Sequence, residues 1–169
     1  MQIHKLHLTP NEYSRPQRPL RRVKAIVVHW VGNPGTIPRA NRDFFESRKN
    51  GSKGYGSAHY ILDEHEIIEA IPPDEMAYHV GAKKYSLFAT EFLGPYPNDC
   101  TLGVELCHPD WSGKFTEGAW QRAVRLVAEL LLANALRPHH IVTHQNITSK
   151  ECPRWFVDHP AELERFRWD

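Results

Sequence analysis

Long apolar runs are missing from this sequence. No stretch approaches the roughly 20 consecutive apolar residues of a membrane-spanning helix, so membrane insertion is not expected. Residues 1–22, MQIHKLHLTPNEYSRPQRPLRR, have no apolar segment of the kind a secretion signal needs. The expected place of synthesis is the cytoplasm, with any action outside the cell depending on another exit route. A charge bias is missing too. Lys+Arg number 21 against 20 Asp+Glu, which argues against a nucleic-acid partner and against a solvated acidic tail. Cysteine is scarce and odd in number. Cys100, Cys107 and Cys152 cannot all pair within the chain, so reduced thiols or a thiol ligand fit better than a disulfide scaffold. Repeats, low-complexity segments and linkers are absent as well. The 169 residues are expected to form one domain, 1–169, with the proline-bearing residues 1–22 as an extended arm laid over it. Histidine is what the sequence has in plenty. There are eleven, and histidine is the commonest metal ligand, so a metal site is the first thing to look for.

The pattern along the chain is that of an α/β protein. KAIVVHWV, residues 24–31, is apolar on both pleat faces and predicts a central strand covered on both sides. Residues 38–49 predict a helix opened by Pro38, with Phe44 and Phe45 inward. Residues 57–62 and 66–71 predict a hairpin turning at Asp63-Glu64-His65. Residues 74–98 are loop-rich, with a short helix near 85–91. CTLGVELC, residues 100–107, predicts a strand with Leu102, Val104 and Leu106 on one face and Gly103, Glu105 and Cys107 on the other. Residues 117–136 predict the longest helix, capped by Thr116, with Trp120, Val124, Val127 and Leu131 on one stripe flanked by Ala123 and Leu130. A last strand is predicted over 139–143, then a loop, then a helix near 157–167. The order implies a central mixed β-sheet flanked by helices.

His29 falls where the central strand runs into a loop, the place where sites collect in open α/β sheets. Alone it says little, because a buried histidine bonded to backbone is the commoner case. His144 lies just past an apolar strand, and Cys152 follows eight residues later. Two imidazoles and a thiolate suit a tetrahedral zinc ion and leave its fourth position for water. The spacing by itself fits equally well a buried, unreactive cysteine near a surface histidine.

The ordered motifs narrow this. VVHW, SAHYILDEHEIIEAIP, AYHVGA, LGVELC, VTHQNIT and KECP together span most of residues 24–153. The set resembles the zinc-dependent N-acetylmuramoyl-L-alanine amidases, a family that includes phage endolysins, bacterial autolysins and the animal peptidoglycan-recognition proteins. The resemblance implies that fold, and Zn²⁺ held by His29, His144 and Cys152. It implies Glu105 as the carboxylate that moves protons and Lys150 as the cation beside the developing oxyanion. It further implies His79 at the substrate groove. Trp30, Tyr78 and Trp155 are candidate apolar walls for glycan or stem peptide, although aromatics at such positions are more often core. The expected activity is cleavage between N-acetylmuramic acid and L-alanine in bacterial peptidoglycan by a monomeric endolysin.

There are departures from the pattern. Some phage relatives have a tyrosine where Ala58 precedes His59, so more of the proton transfer is expected to rest on Glu105. Gln145-Asn146 follow His144 where Tyr-Asp is usual, which predicts looser support for the metal ligands. Three other readings stand beside the endolysin: a binding module without activity, a cytosolic muropeptide-recycling amidase, and a hydrolase with Cys152 as nucleophile. Cys152 argues against the binding module, because non-catalytic relatives lose it. Pro153 and the loop setting argue against the cysteine nucleophile, which would be expected near a helix N-terminus or an activating base.

Overall fold

A computed structural model describes residues 2–169. Its centre is β2 (Ala25–Trp30), buried from Ala25 through His29. β5 (Thr101–Leu106) and β6 (Ile141–Thr143) flank it, both parallel to it. β3 (Tyr60–Leu62) lies beyond β5, β4 (Ile67–Glu69) returns antiparallel, and β1 (His4–Lys5) closes that edge parallel to β4. The six-stranded sheet therefore runs β1-β4-β3-β5-β2-β6 and is mixed. The hairpin turn is held by Asp63, whose Oδ1 accepts the backbone N–H groups of His65 and Glu66 at 2.7 and 2.9 Å.

The sheet has two unlike faces. On one, Ile26, Val28, Leu102, Val104 and Leu106 pack against α3 (Glu117–Ala133), which contributes Trp120, Ala123, Leu126, Val127, Leu130 and Leu131. Thr116 caps α3 by accepting from Ala119 N–H at 3.2 Å. Leu126, fully buried, belongs to the apolar stripe, and Val124 is only partly buried. The other face carries Ala25, Val27, His29, Thr101, Gly103 and Glu105. It is covered in part by α2 (Leu87–Phe92), α4 (His144–Thr148) and Val80. The parallel strands β2, β5 and β6 end at one edge, so the loops carrying the chemistry gather there.

Several expected elements differ. The N-terminal arm is part of the sheet through β1, and Leu8 is fully buried. Arg15 clamps Glu75 with two hydrogen bonds of 2.7 and 2.8 Å. α1 (Pro38–Glu46) is shorter than predicted and ends in a 3₁₀ turn over Ser47–Asn50. Phe44 faces outward, 46% exposed, while Asn41 is buried and Phe45 packs partly inward. Adjacent helical residues are about 100° apart, so Phe44 and Phe45 cannot share one face, whereas Asn41 and Phe45 are four apart and do. Residues 138–140 form a 3₁₀ turn before β6, and His144 opens α4 where a loop was expected. The terminal helix is two pieces, α5 (Arg154–Asp158) and α6 (Pro160–Trp168). Pro160 lacks an N–H and restricts His159, so α5 cannot run on through it. No helix among the described residues is long and apolar enough to cross a membrane.

Candidate metal centre

His29, at the carboxyl end of β2, meets His144 and Cys152 from the β6–α4 side. One ligand atom from each lies within 4.8 Å of the other two, and all three residues are buried. Cys152 Sγ is 3.6 Å from His29 Nδ1, and the His29 and His144 rings stand edge to face at 4.9 Å. The local fold places them. Thr143 and Asn146 cap α4 reciprocally: Asn146 Oδ1 accepts from Thr143 N–H at 2.9 Å, and Thr143 Oγ1 accepts from Asn146 N–H at 3.2 Å. Gln145 N–H donates to the Cys152 carbonyl at 3.1 Å and binds the cysteine loop to the start of α4. The sequence Gln145-Asn146 thus supports His144 through backbone and cap, not through the usual side chains.

Burial controls the charges. It drives His29 well below the ordinary histidine range, with His144 next in effect, and holds His144 at about 4. Neutral imidazoles are the form that binds a metal. Burial pushes the Cys152 thiol up to about 12, so it needs a cation beside it to ionise. Glu105 stands opposite His29 in the β2–β5 register, on the same face of the sheet. Burial raises its carboxyl to about 8, against the pull of Lys150. Its Oε2 is shielded and has no hydrogen-bond partner among the described residues. A groove of about 560 Å³ opens over the trio, bordered by Glu105, Lys150 and Phe44. The group can hold a metal ion, with an unpaired carboxylate beside it and a cation at its mouth.

The sequence profile of the N-acetylmuramoyl-L-alanine amidases matches residues 19–155. This chain belongs to that family. A probable N-acetylmuramoyl-L-alanine amidase of Bacillus licheniformis is 38% identical over 157 residues, covering 93% of this chain and 44% of the relative. The amidase CwlL of Bacillus licheniformis is 35% identical over 158 residues, covering 93% and 43%. The chain spans less than half the length of these curated relatives. In fold, the chain is similar to the catalytic domain of XlyA, with a TM-score of 0.77, 20% identity and 99% of each chain covered. It is similar also to PlyL, with a TM-score of 0.76, 22% identity and 98% and 97% covered.

Within this amidase fold, the other expected site residues fall in different places. Trp30 borders the groove, but pleat alternation turns its ring to the face opposite His29. There it stacks on His108 at 4.5 Å, with the Arg154 guanidinium 5.5 Å from its centroid. Tyr78 does not border the groove. It precedes His79, points away from it, and packs on Tyr55 at 5.1 Å. Trp155 stacks on His159 at 3.8 Å, outside the groove. His79 is buried at the groove floor, and both its ring nitrogens are taken. Nδ1 meets His29 Nε2 at 3.0 Å, and Nε2 meets Thr101 Oγ1 at 3.1 Å. Ala58, at the place of the relatives' tyrosine, is fully buried. Reading the sequence missed Phe44 and Asn41 at the groove wall, and His59 and Thr101 beneath it. The period of α1 could have turned Phe44 outward. No short-range signal marks Thr101.

Proposed function

We propose that this chain is a zinc-dependent hydrolase of the amide bond between N-acetylmuramic acid and L-alanine in peptidoglycan, working as an endolysin. The carrying observation is the convergence of His29, His144 and Cys152 beside the unpaired carboxylate of Glu105. The donor set fits zinc. Tetrahedral zinc with ordinary bond lengths puts nitrogen and sulfur ligands about 3.6 Å apart, and the His29 Nδ1 to Cys152 Sγ distance is 3.6 Å. When bound, the ion lowers the pKa of a water and polarises the scissile carbonyl.

The chain's own residues supply the rest. Glu105 takes the proton of the attacking water and returns it to the departing nitrogen of L-alanine. Its raised affinity for protons suits that two-way role. Lys150, exposed at the groove mouth, lies close enough to depress both histidine ligands, and its charge favours the oxyanion as it forms. Phe44 offers an apolar wall to the substrate. Cys152 is a poor nucleophile here, being 2% exposed and held protonated by its surroundings, so the cysteine-hydrolase reading is disfavoured.

The test is mass spectrometry of digested peptidoglycan, with and without chelator. New N-terminal L-alanine is expected. It should vanish with EDTA and return with zinc. Digestion that survives EDTA and dies only with a thiol alkylator would overturn the zinc reading. Digestion without free L-alanine would overturn the amidase reading.

A further inference from the structure

Buried histidines outside the metal trio form a second cluster under it. Each of its hydrogen bonds constrains the next. Thr101 Oγ1 donates its proton to the Pro97 carbonyl at 2.8 Å, so toward His79 it can only accept. The Thr101 carbonyl, 3.3 Å from His79 Nε2, can likewise only accept. His79 Nε2 therefore carries the ring proton, and in the neutral imidazole Nδ1 is bare. That bare nitrogen is 3.0 Å from His29 Nε2, which must then be the donor. His29 is left with a bare Nδ1, the atom that faces Cys152 Sγ.

We infer that His79 is a positioning residue that fixes the tautomer and ring orientation of His29, so that Nδ1 is the atom offered to the metal. This rests on the zinc reading above. Metal-bound histidines commonly use a carboxylate or a carbonyl for this purpose. A neutral imidazole does it here, relayed to a threonine hydroxyl, and adds no charge to the site.

The surroundings hold the His79 ring from several sides. A Cβ on Gly103 would lie 2.6 Å from His79 Cγ and 2.7 Å from its Nδ1, so this β5 position must stay glycine for the ring to fit. Asn98 Oδ1 accepts both the His79 and Val80 backbone N–H groups, at 3.2 and 3.0 Å. His59 packs edge-on at 5.7 Å and is itself fixed at both nitrogens, by Gly103 N–H at 3.0 Å and the Glu75 carbonyl at 2.9 Å. The packing of His79 explains why a histidine assigned to substrate contact has no free polar atom for it.

The test compares the wild type with His79→Leu, His79→Gln and Gly103→Ala. Zinc affinity is measured by competition with a chelating indicator, and metal-free melting temperature is measured alongside. His79→Leu keeps bulk but removes the acceptor, and should weaken zinc binding about 10- to 100-fold. His79→Gln keeps an acceptor for His29 and a donor for Thr101, and should recover most of that loss. Gly103→Ala should weaken binding by displacing the ring. Two-bond ¹H–¹⁵N NMR of the metal-free wild type should show His29 protonated at Nε2, a readout that needs no variant to fold. His29 protonated at Nδ1 would overturn the inference. So would a His79→Leu variant that melts lower yet binds zinc like the wild type. A wild type that binds no zinc would overturn the zinc reading itself, and this inference with it.

Discussion

The two faces of the central sheet are built on different terms. The α3 face is aliphatic and aromatic almost throughout, and α3 fits it with a continuous stripe from Ala119 to Leu131. The opposite face of the same strands holds His29, Thr101, Gly103 and Glu105, with His59 and His79 packed on it. One face stabilises the fold by excluding water from apolar surface. The other keeps polar groups out of water and satisfies nearly all of them internally, apart from the Glu105 oxygen. Buried polar groups without partners are costly, so that single exception marks where chemistry is expected. The same β-strands serve both ends because a pleat sends neighbouring side chains to opposite sides.

Four experiments would sharpen or break this division. The largest effect is expected from Glu105→Gln, which should lower the rate of peptidoglycan digestion about 10²- to 10⁴-fold. Its metal-free melting temperature should not fall, because the change removes a carboxylate that burial disfavours. A variant at full rate would remove Glu105 from proton transfer. Second, Leu126→Ala on the α3 face should cost about 2–5 kcal/mol in chemical denaturation. Its zinc affinity should be unchanged, and a parallel loss of zinc affinity would show that the two faces are coupled.

Third, pH should separate the faces. Burial holds His59 at about 4 against an ordinary 6.5, so the folded state keeps it neutral while the unfolded chain takes up a proton. The resulting stability is complete above about pH 6.5 and is lost as pH falls toward 4. His59→Gln should make the stability of metal-free protein fall less steeply across that window, as read by urea melts. An unchanged slope would remove His59 as its source. The smallest effect is expected from Thr116→Ala, about 1 kcal/mol from the lost α3 cap. Activity at 25 °C should not change.

What the sequence shows on its own divides along the same line. β2, β5 and α3 were legible because their apolar periods are regular and their partners are apolar too. The trio was legible because His29, His144 and Cys152 each sit at the end of a recognisable segment in a fixed order. The support beneath it was not. His79 could be seen, but its partner Thr101 lies 22 residues away and Gly103 reveals its purpose only when the ring is in place. Tyr78 lies outside the groove, and Trp30 borders it with its ring turned to the other face, because neighbours on an extended chain point opposite ways. Phe44 was misplaced by the equivalent error on a helix.

The family match begins at residue 19, yet the folded unit begins earlier. β1 covers the free edge of β4, Leu8 fills the core, and Arg15 holds Glu75, whose carbonyl in turn holds His59. A chain trimmed to the matched region would therefore expose an unpaired strand edge, a ready template for self-association. For anyone fusing this domain to another module, the attachment point at that end belongs ahead of His4, so that β1, Leu8 and Arg15 stay with the fold.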